Sequence, residues 1–542
     1  MRPRRGIAAL VIVGLIVVPA LAASADGGDM IPTYGASSGY TRAEVNATGG
    51  FGSERDSQRR LVMVSGDSST LNATRLDHWG YIDTAFSGDG TASITRSPLS
   101  TGHDAVAIDS QDRVILATST FDVGAGADLG LVQRFTVVGN PDTSFGPSGL
   151  REIPQLPHIE AVETDYSNRV LIAGYGADGF DVARLSSAGV LDPAFGGDGL
   201  ASADFGAGAR AYAVTWDVFQ DQVIVGGTGG GATWGPLAVA RFNADGSPDT
   251  TFGDNGMAVI TTPGLVGAVQ AVDVDSVGRI VAAGWLSTCP DGDTCPTYSM
   301  VWALARFNTN GSPDTTFGGD GLVTIDPAGV QSPQKLTDVD VDYVGTVYFT
   351  GSSQAQGVSL LGAVRNDGAP VLGADGWISD AVNGTTAVAN SLDAETWERI
   401  LVSGVVTDGS TVPYTAAYEP VDGPDPGVHI DKPKAVVKRL SGTTGPAWAG
   451  VVNTGFVLMW PSKGLVRKGK CRWLTGPGPT FTIVDRPEDG CDPEPYLLKP
   501  KGTLTWHYAL GGKLRPGHYW AYASVNLLFG AGSTRSREFD VE

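Results

Sequence analysis

The chain has 542 residues, too many for one hydrophobic core, so several domains or a repeat array are expected. With 42% hydrophobic and 18% charged residues it is not a disordered chain, and its 75 glycines indicate many turns, as in all-β proteins. Residues 26–427 carry 18 basic and 49 acidic side chains, whereas residues 428–542 carry 16 and 9. The excess of acidic residues in this main part of the chain, the acidic body (residues 26–427), argues against a nucleic-acid partner, because phosphate binding needs clustered cations.

Residues 1–25 have the layout of a secretory signal peptide. Three arginines precede an apolar run over residues 7–18, and small residues predict cleavage after Ala25, or else after Ala22. A membrane anchor is the alternative, although the run is well short of the ~20 residues that span a bilayer. Paired arginines at positions 4–5 leave open whether export uses the Sec or the twin-arginine route. We therefore expect a soluble, secreted protein, either extracellular or associated with the cell wall.

Two phrases recur along most of the chain and predict a repeat architecture. The longer one, R-[FL]-x-x-x-G-x-x-D-x-x-F-x-x-x-G, has five clear copies and a decayed sixth, at a mean spacing of 58 residues. These copies begin at Arg75, Arg134, Arg184, Arg241 and Arg306, and near Arg365. The shorter one has seven variant copies, of which residues 274–280 show the full pattern V-D-x-x-G-R-[IV], and its flanking apolar runs are typical of a β-hairpin. Seven four-stranded units predict a seven-bladed β-propeller over residues 26–420.

The seventh unit is incomplete in a way that predicts how the ring closes. No fourth strand follows residues 414–420, whereas residues 40–46 near the N-terminus belong to no other unit. We predict that Tyr40 to Asn46 completes the last blade, which would also protect its edge strand.

The repeated residues are of the kind that builds blades. Glycines such as Gly246, Gly253 and Gly256 are expected to have positive φ or to allow close backbone approach. The repeated aspartate is expected to accept hydrogen bonds from nearby backbone N–H groups, and the repeated phenylalanine to fill the space between adjacent blades. The repeated arginine is expected to pair with an aspartate.

Taken together, these phrases resemble the delta-60 repeat of bacterial secreted and surface proteins, over roughly residues 50–420. The resemblance implies a propeller-like domain whose biochemical role is unknown, and it supplies no catalytic residues.

A binding site is expected on the face of the ring that carries the loops that do not repeat, because recognition is usually carried on variable loops held by a rigid scaffold. Acidic side chains with aromatic neighbours would suit sugars or cationic groups. The candidate binding residues are Asp122, Asp128, Asp178, Trp234, Trp285, Asp291, Asp293 and Tyr298.

No catalytic residue and no metal ligand is predicted. The H-E-x-x-H metalloprotease, C-x-x-C-H haem and phosphate-loop motifs do not occur in the sequence. Calcium remains possible, because loops such as SGDG and GGDG and the series Asp338, Asp340 and Asp342 offer carboxylates, although the EF-hand spacing is never completed. No other cofactor is predicted.

The four cysteines form two pairs that are local in sequence. In an oxidising compartment they predict the disulfides Cys289–Cys295 and Cys471–Cys491. A zinc site is the alternative, but no C-x-x-C is present and no histidine neighbours either pair.

The basic C-terminal part predicts a second domain. Residues 421–433 read as a linker, and residues 434–542 contain about seven short strands. The motif L-x-P-G-x-Y, ending at Tyr519, resembles the tyrosine corner of immunoglobulin-like and fibronectin type III sandwiches. The resemblance implies a small immunoglobulin-like β-sandwich, whose basic surface could contact an anionic cell wall.

The sequence therefore favours a secreted, non-enzymatic binding or adhesion protein with a carbohydrate or protein ligand at the cell exterior. The alternative is an extracellular propeller enzyme that acts on polysaccharide or uses a quinone-type cofactor. An enzyme is expected to show converging histidine, arginine or carboxylate side chains beside the channel.

Overall fold

The computed structural model shows an all-β chain. It describes Met30 and residues 34–35, 40–43, 49–96, 98–99, 105–176, 179–218, 220–231, 234–289, 300–326, 334–342, 345–353, 358–372, 376–380, 386–395, 399–408 and 410–418, and then strands between 429 and 541. The residues described up to 418 form seven four-stranded antiparallel sheets.

Six of these sheets are each built from four consecutive strands, and we number them as blades 1 to 6. Blade 1 contains β2 (Gly49–Arg55), β3 (Leu61–Gly66), β4 (Thr70–Leu76) and β5 (Thr91–Thr95), and blade 2 contains β6 (Ala105–Ile108), β7 (Val114–Asp122), β8 (Ala127–Phe135) and β9 (Leu150–Ile153). Blade 3 contains β10 (His158–Thr164), β11 (Val170–Tyr175), β12 (Phe180–Leu185) and β13 (Leu200–Ala203), and blade 4 contains β14 (Arg210–Asp217), β15 (Gln222–Thr228), β16 (Leu237–Phe242) and β17 (Met257–Ile260). Blade 5 contains β18 (Val266–Val274), β19 (Ile280–Ser287), β20 (Met300–Phe307) and β21 (Leu322–Ile325), and blade 6 contains β22 (Gln334–Val341), β23 (Val347–Ser353), β24 (Val358–Val364) and β25 (Trp377–Asp380). A 3-10 turn, Pro147–Gly149, precedes β9.

The seventh blade joins the two ends of the propeller chain. Its strands are β26 (Thr386–Glu395), β27 (Arg399–Asp408) and β28 (Ser410–Tyr418), together with β1 (Tyr40–Arg42). The first strand of every blade contacts the first strands of both neighbouring blades, and β26 contacts β2. This closed circuit confirms the predicted seven-bladed β-propeller, with its inner wall made of first strands.

The antiparallel order gives the ring two distinct faces. The turns between first and second strands and between third and fourth strands lie on one face, which we call the turn face. The loops between second and third strands, and the connections between blades, lie on the other, which we call the loop face. The repeated phrases are therefore on the turn face, and the variable loops are on the loop face.

Ring closure involves more than one added strand. Tyr40 pairs with Ala416 and Arg42 with Tyr414, so β1 extends the sheet beyond β28. Upstream of β1, the ring of Tyr34 is buried under the guanidinium of Arg399, whose Cζ lies 5.3 Å from the ring centroid.

Tyr34 takes the position that a repeated phenylalanine occupies in the other blades. The Gly35 N–H donates to the Trp79 carbonyl at 2.8 Å, just as the Ser87 N–H after Phe86 donates to Val138. Position 35 requires glycine, because its φ is +65° and a Cβ would lie 2.4 Å from the Tyr40 carbonyl oxygen. The N-terminal segment therefore supplies the end of the missing seventh phrase as well as its strand.

The repeated phrase forms a buried cation–aromatic–carboxylate unit. In each of five blades the phenylalanine is fully buried, and the arginine Cζ lies 4.5–4.6 Å from its ring centroid. The same guanidinium donates to the repeated aspartate, for example from Arg306 Nε to Asp314 Oδ2 at 2.8 Å. Arg134 also donates to the Ser187 carbonyl of the next blade at 2.8 Å, so the unit fastens neighbouring blades together. The predicted arginine–aspartate pairs are thus present.

The C-terminal part contains β strands, described here by their backbone alone. These are β29 (His429–Ile430), β30 (Arg439–Thr444), β31 (Val451–Met459), β32 (Arg472–Thr475), β33 (Thr482–Asp485), β34 (Leu504–Ala509), β35 (Gly517–Leu527), β36 (Gly530–Arg535) and β37 (Phe539–Val541). They pair as β29-β30-β34, as β31-β35-β36 with β37 on β35, and as β32-β33. The immunoglobulin-like arrangement and the domain boundaries stay predictions.

Several predicted features lie outside the described residues. They are the signal peptide, most of the linker, and Cys295, Cys471 and Cys491; Cys289 is described and buried. Both disulfides therefore stay predictions. None of the described segments forms a helix with the length and apolar character that a membrane crossing requires.

Candidate functional site on the loop face

Side chains from blades 2 to 5 form a chain of contacts on the loop face. His158 stacks on Tyr175 at 4.8 Å between ring centroids, and its Nε2 lies 3.7 Å from Asp128 Oδ2. The Arg210 Cζ lies 4.8 Å from the centroid of the same tyrosine ring. Arg210 is also near enough to Tyr212 for its charge to lower the pKa of that hydroxyl.

The contacts continue through aromatic rings into blade 5. The Trp234 ring lies 6.3 Å from Tyr212 and 4.9 Å from Trp285, the latter at a near-perpendicular 80°. We call the whole set the loop-face strip. It comprises Asp128, His158, Tyr175, Arg210, Tyr212, Trp234 and Trp285.

Backbone pairing sets the positions of these side chains. His158 pairs with Tyr175 across the hairpin of β10 and β11. A bulge in β14 between Ala211 and Ala213 changes the direction of the chain beside Tyr212. The loop that carries Trp234 is held because the Gly235 carbonyl accepts from the Gly267 N–H at 2.8 Å. The strip is therefore built on strand ends and pinned backbone rather than on free loops.

Burial within the strip controls the protonation of its phenols. Burial raises the pKa of Tyr212 to about 12, more than the nearby Arg210 guanidinium lowers it. Burial and the Glu160 carboxylate also raise the pKa of Tyr175. Both phenols therefore stay protonated near neutral pH, where they donate hydrogen bonds but do not act as bases.

Three of the eight predicted binding residues lie together in this strip. Asp128 is 48% exposed, Trp234 is half-buried, and Trp285 is 3% exposed and so supports Trp234 from beneath. Asp122 is elsewhere, at the end of β7, where it accepts the Gly124 N–H at 2.8 Å and closes its own turn. The other four predicted residues, Asp178, Asp291, Asp293 and Tyr298, lie outside the described residues.

Sequence reasoning missed four members of the strip, namely His158, Tyr175, Arg210 and Tyr212. His158, Arg210 and Tyr212 lie at the start of first strands, beside the connections between blades, whereas Tyr175 ends β11 beside a variable loop; all of these segments open onto the loop face. The available signal was that residues 158–160 and 210–212 do not repeat from blade to blade.

A second feature is a set of carboxylates on the inner wall. Five of the seven first strands carry an acidic residue at an equivalent register position, opposite the second residue of the next strand or, in blade 7, the third. These residues are Glu54, Glu163, Asp273, Asp340 and Asp393. Their counterparts in blades 2 and 4 are Ala107 and Thr215.

The inner-wall carboxylates join neighbouring blades. Asp273 accepts from the Val341 N–H at 2.7 Å, and Asp340 accepts from the Ala394 N–H at 2.8 Å. Asp393 in turn pairs with Arg55 of blade 1 at 2.6 Å. In the part of the chain that the structure describes, no three His, Cys, Asp or Glu side chains are placed to hold a metal ion. Asp338 and Asp340 lie in β22, whereas Asp342 follows the end of that strand and accepts the Thr346 N–H of its own turn.

From two inner-wall carboxylates, Glu163 and Asp273, and from Asp338, which lies in β22, we predict that stability rises as the solution becomes mildly acidic. Burial raises the pKa of Asp273 and Asp338 to about 6 and that of Glu163 to about 7. Since these values exceed those of the unfolded chain, the folded state binds protons more tightly. This stabilisation is complete below about pH 4 and is lost as the pH rises through about 6 to 7.

At lower pH, protonation of the turn-face aspartates has the opposite effect and decreases the stability of the folded state. Although burial opposes the effect, hydrogen bonds from Thr316 and Arg306 hold the pKa of Asp314 below its usual value, so its contribution is lost on strong acidification. Denaturation in urea between pH 3 and 8 should show greatest stability between about pH 4 and 6. Asp338→Asn should flatten the profile above pH 5. A stability that climbs steadily to pH 8 in the unmodified protein would contradict this assignment.

Comparisons with known proteins agree with the fold. Residues 221–252 and 278–317 match the model of a β-propeller domain of unknown function, DUF5122. No curated protein matches the chain in sequence.

Solved structures with a similar fold differ widely in their described roles. A catalytically inactive variant of virginiamycin B lyase from Staphylococcus aureus, with quinupristin, has a TM-score of 0.40 and 11% identity, over 70% of this chain and 99% of that one. YCF48 from Cyanidioschyzon merolae has a TM-score of 0.37 and 11% identity, over 70% and 98%. A PL25 ulvan lyase bound to -[GlcA(1-4)Rha3S]- has a TM-score of 0.42 and 13% identity, over 70% and 96%. Likenesses this distant carry no argument about ligand or reaction.

Proposed function

We propose that this is a secreted, non-enzymatic binding protein that holds a carbohydrate on the loop-face strip. The observation that carries the proposal is the continuous run of contacts from Asp128 to Trp285, in which aromatic rings alternate with charged side chains. Sugar rings stack on aromatic faces through their C–H groups, while carboxylates and guanidinium groups bind their hydroxyls. Such a strip suits an extended, hydroxyl-rich ligand.

The protonation of the strip favours binding over catalysis. Tyr175 and Tyr212 remain protonated, as argued above, and the strip is fixed by backbone pairing. His158 and Arg210 do converge here, which is the arrangement expected of the alternative enzyme. Turnover of a polysaccharide would therefore overturn the non-enzymatic part of the proposal, and a panel of hydrolase and lyase substrates tests it directly.

The prediction for binding concerns Trp234. Trp234→Ala should reduce affinity for the ligand found on a glycan array by roughly tenfold or more, because one aromatic platform is lost. Trp79→Ala is the matched control, since Trp79 is 58% exposed but lies in a turn of the opposite face. An equal loss in the two variants, or binding to no glycan, would contradict the assignment.

The remaining parts of the proposal concern the rest of the chain. We propose a delta-60-type propeller exported by its signal peptide, with Cys289–Cys295 and Cys471–Cys491 as disulfides. We further propose an immunoglobulin-like C-terminal domain whose basic surface contacts an anionic cell wall. The excess of basic over acidic residues in this part supports the last point.

A further inference from the structure

Arg210 differs from the arginines of the turn face, because no carboxylate of the described residues forms an ion pair with it. Arg75, Arg134, Arg184, Arg241 and Arg306 each contact an aspartate at 2.8–2.9 Å. By contrast, none of the carboxylates that the structure describes lies within 4 Å of the Arg210 guanidinium in an ion pair, although acidic side chains outnumber basic ones in the body. The side chain is exposed, so its charge is accessible from the loop face.

The guanidinium is nevertheless held in place. Its Cζ lies 4.8 Å from the Tyr175 ring centroid, and an aromatic ring contacted in this way takes up none of the guanidinium N–H groups. A guanidinium fixed in this way loses little side-chain entropy when it binds a planar anion through two hydrogen bonds. The Arg210 guanidinium is therefore preorganised to bind an anionic group.

We propose that the ligand of the loop-face strip is an acidic saccharide, and that Arg210 binds its carboxylate or sulfate. This inference rests on the proposed function, because it assigns the charge of the ligand at the same site. Trp234 would stack on a sugar ring, while the exposed Asp128 carboxylate would accept hydrogen bonds from sugar hydroxyls. The acidic body does not prevent this, since charges beyond about 8 Å are largely screened at physiological ionic strength.

The test uses pairs of oligosaccharides that differ only in charge, with the full mature chain. One pair is trigalacturonate and its methyl ester, and the other is a sulfated galactan oligomer and its desulfated form. We expect tighter binding of the charged member of at least one pair. Arg210→Gln should weaken that binding roughly ten- to hundredfold and leave the neutral member unchanged.

Arg96→Gln provides the matched control. It removes the same charge at another site, where the part-buried Arg96 pairs with the exposed Glu152 at 2.7 Å, and it should leave affinity unchanged. A preference for carboxylate over sulfate, or the reverse, identifies the anionic group.

The possible failures can be told apart. If neutral oligosaccharides bind as well as charged ones, and Trp234→Ala but not Arg210→Gln weakens binding, the acidic ligand is wrong and the saccharide site stands. If neither pair binds and the glycan array is also blank, both proposals are wrong.

Discussion

Replacement of Tyr34 by alanine is expected to lower the free energy of unfolding by about 3–5 kcal/mol, the range found for truncating buried aromatic residues. The side chain is 2% exposed and packs in the cluster that joins blades 1 and 7, beneath Arg399. Its loss leaves a cavity at the junction that closes the ring. Equilibrium denaturation in urea measures the effect.

Two further variants make this expectation specific. Tyr34→Phe keeps the ring and should cost less than about 1 kcal/mol, because the cavity is not formed. Phe252→Ala removes the equivalent, fully buried side chain of blade 4, away from the ring junction. It should lower the free energy of unfolding about as much as Tyr34→Ala. A large loss for Phe252→Ala with almost none for Tyr34→Ala would show that the N-terminal segment does not hold the ring closed.

Replacement of Asp314 by alanine is expected to cost a similar amount, about 3–5 kcal/mol, for an electrostatic reason. Arg306 has a 1% exposed side chain and would keep its charge in the interior without its carboxylate partner. Arg279 loses the same carboxylate, at 3.1 Å. Thermal or urea denaturation measures the loss.

The equivalent change in blade 1 provides a graded control. The Asp83 side chain is 16% exposed, so water can partly solvate Arg75 after Asp83→Ala and the loss should be smaller. In Arg306→Met with Asp314→Ala the buried charge is removed together with its partner, and part of the stability should return. Equal losses for Asp83→Ala and Asp314→Ala, without recovery in the double variant, would contradict a buried-charge origin.

The repeats made the fold predictable, because each blade must satisfy the same packing and the same turn. Seven hairpin phrases predicted seven sheets, and the spacing of Arg241, Asp249 and Phe252 predicted a packed turn. The role of Tyr34 was not predicted. Its segment, residues 32–41, resembles the end of a repeated phrase only once tyrosine is allowed in place of phenylalanine, and its partners lie in blade 7 and in a turn of blade 1.

The candidate site was less predictable for a related reason. Antiparallel strand order alone indicated which face carries the variable loops, and that reasoning selected Asp128, Trp234 and Trp285. It could not select Arg210 or Tyr175, because the contact between them is made across two blades. The distance between side chains of different blades depends on the geometry of the whole ring rather than on any local pattern.

Because both ends of the propeller contribute strands to blade 7, the ring can close only after the last blade has been synthesised. Arg55 and Asp393, which meet at the junction, are separated by 338 residues. At typical elongation rates of about 5–20 residues per second, the first blade is made some tens of seconds before its neighbour in blade 7 exists. During that interval the side of blade 1 that faces blade 7 is uncovered and the closing segment has no strand partner, so both are open to proteases and to pairing with other chains. A newly made molecule is therefore protected from proteases and from pairing with other chains only after its last blade has been synthesised.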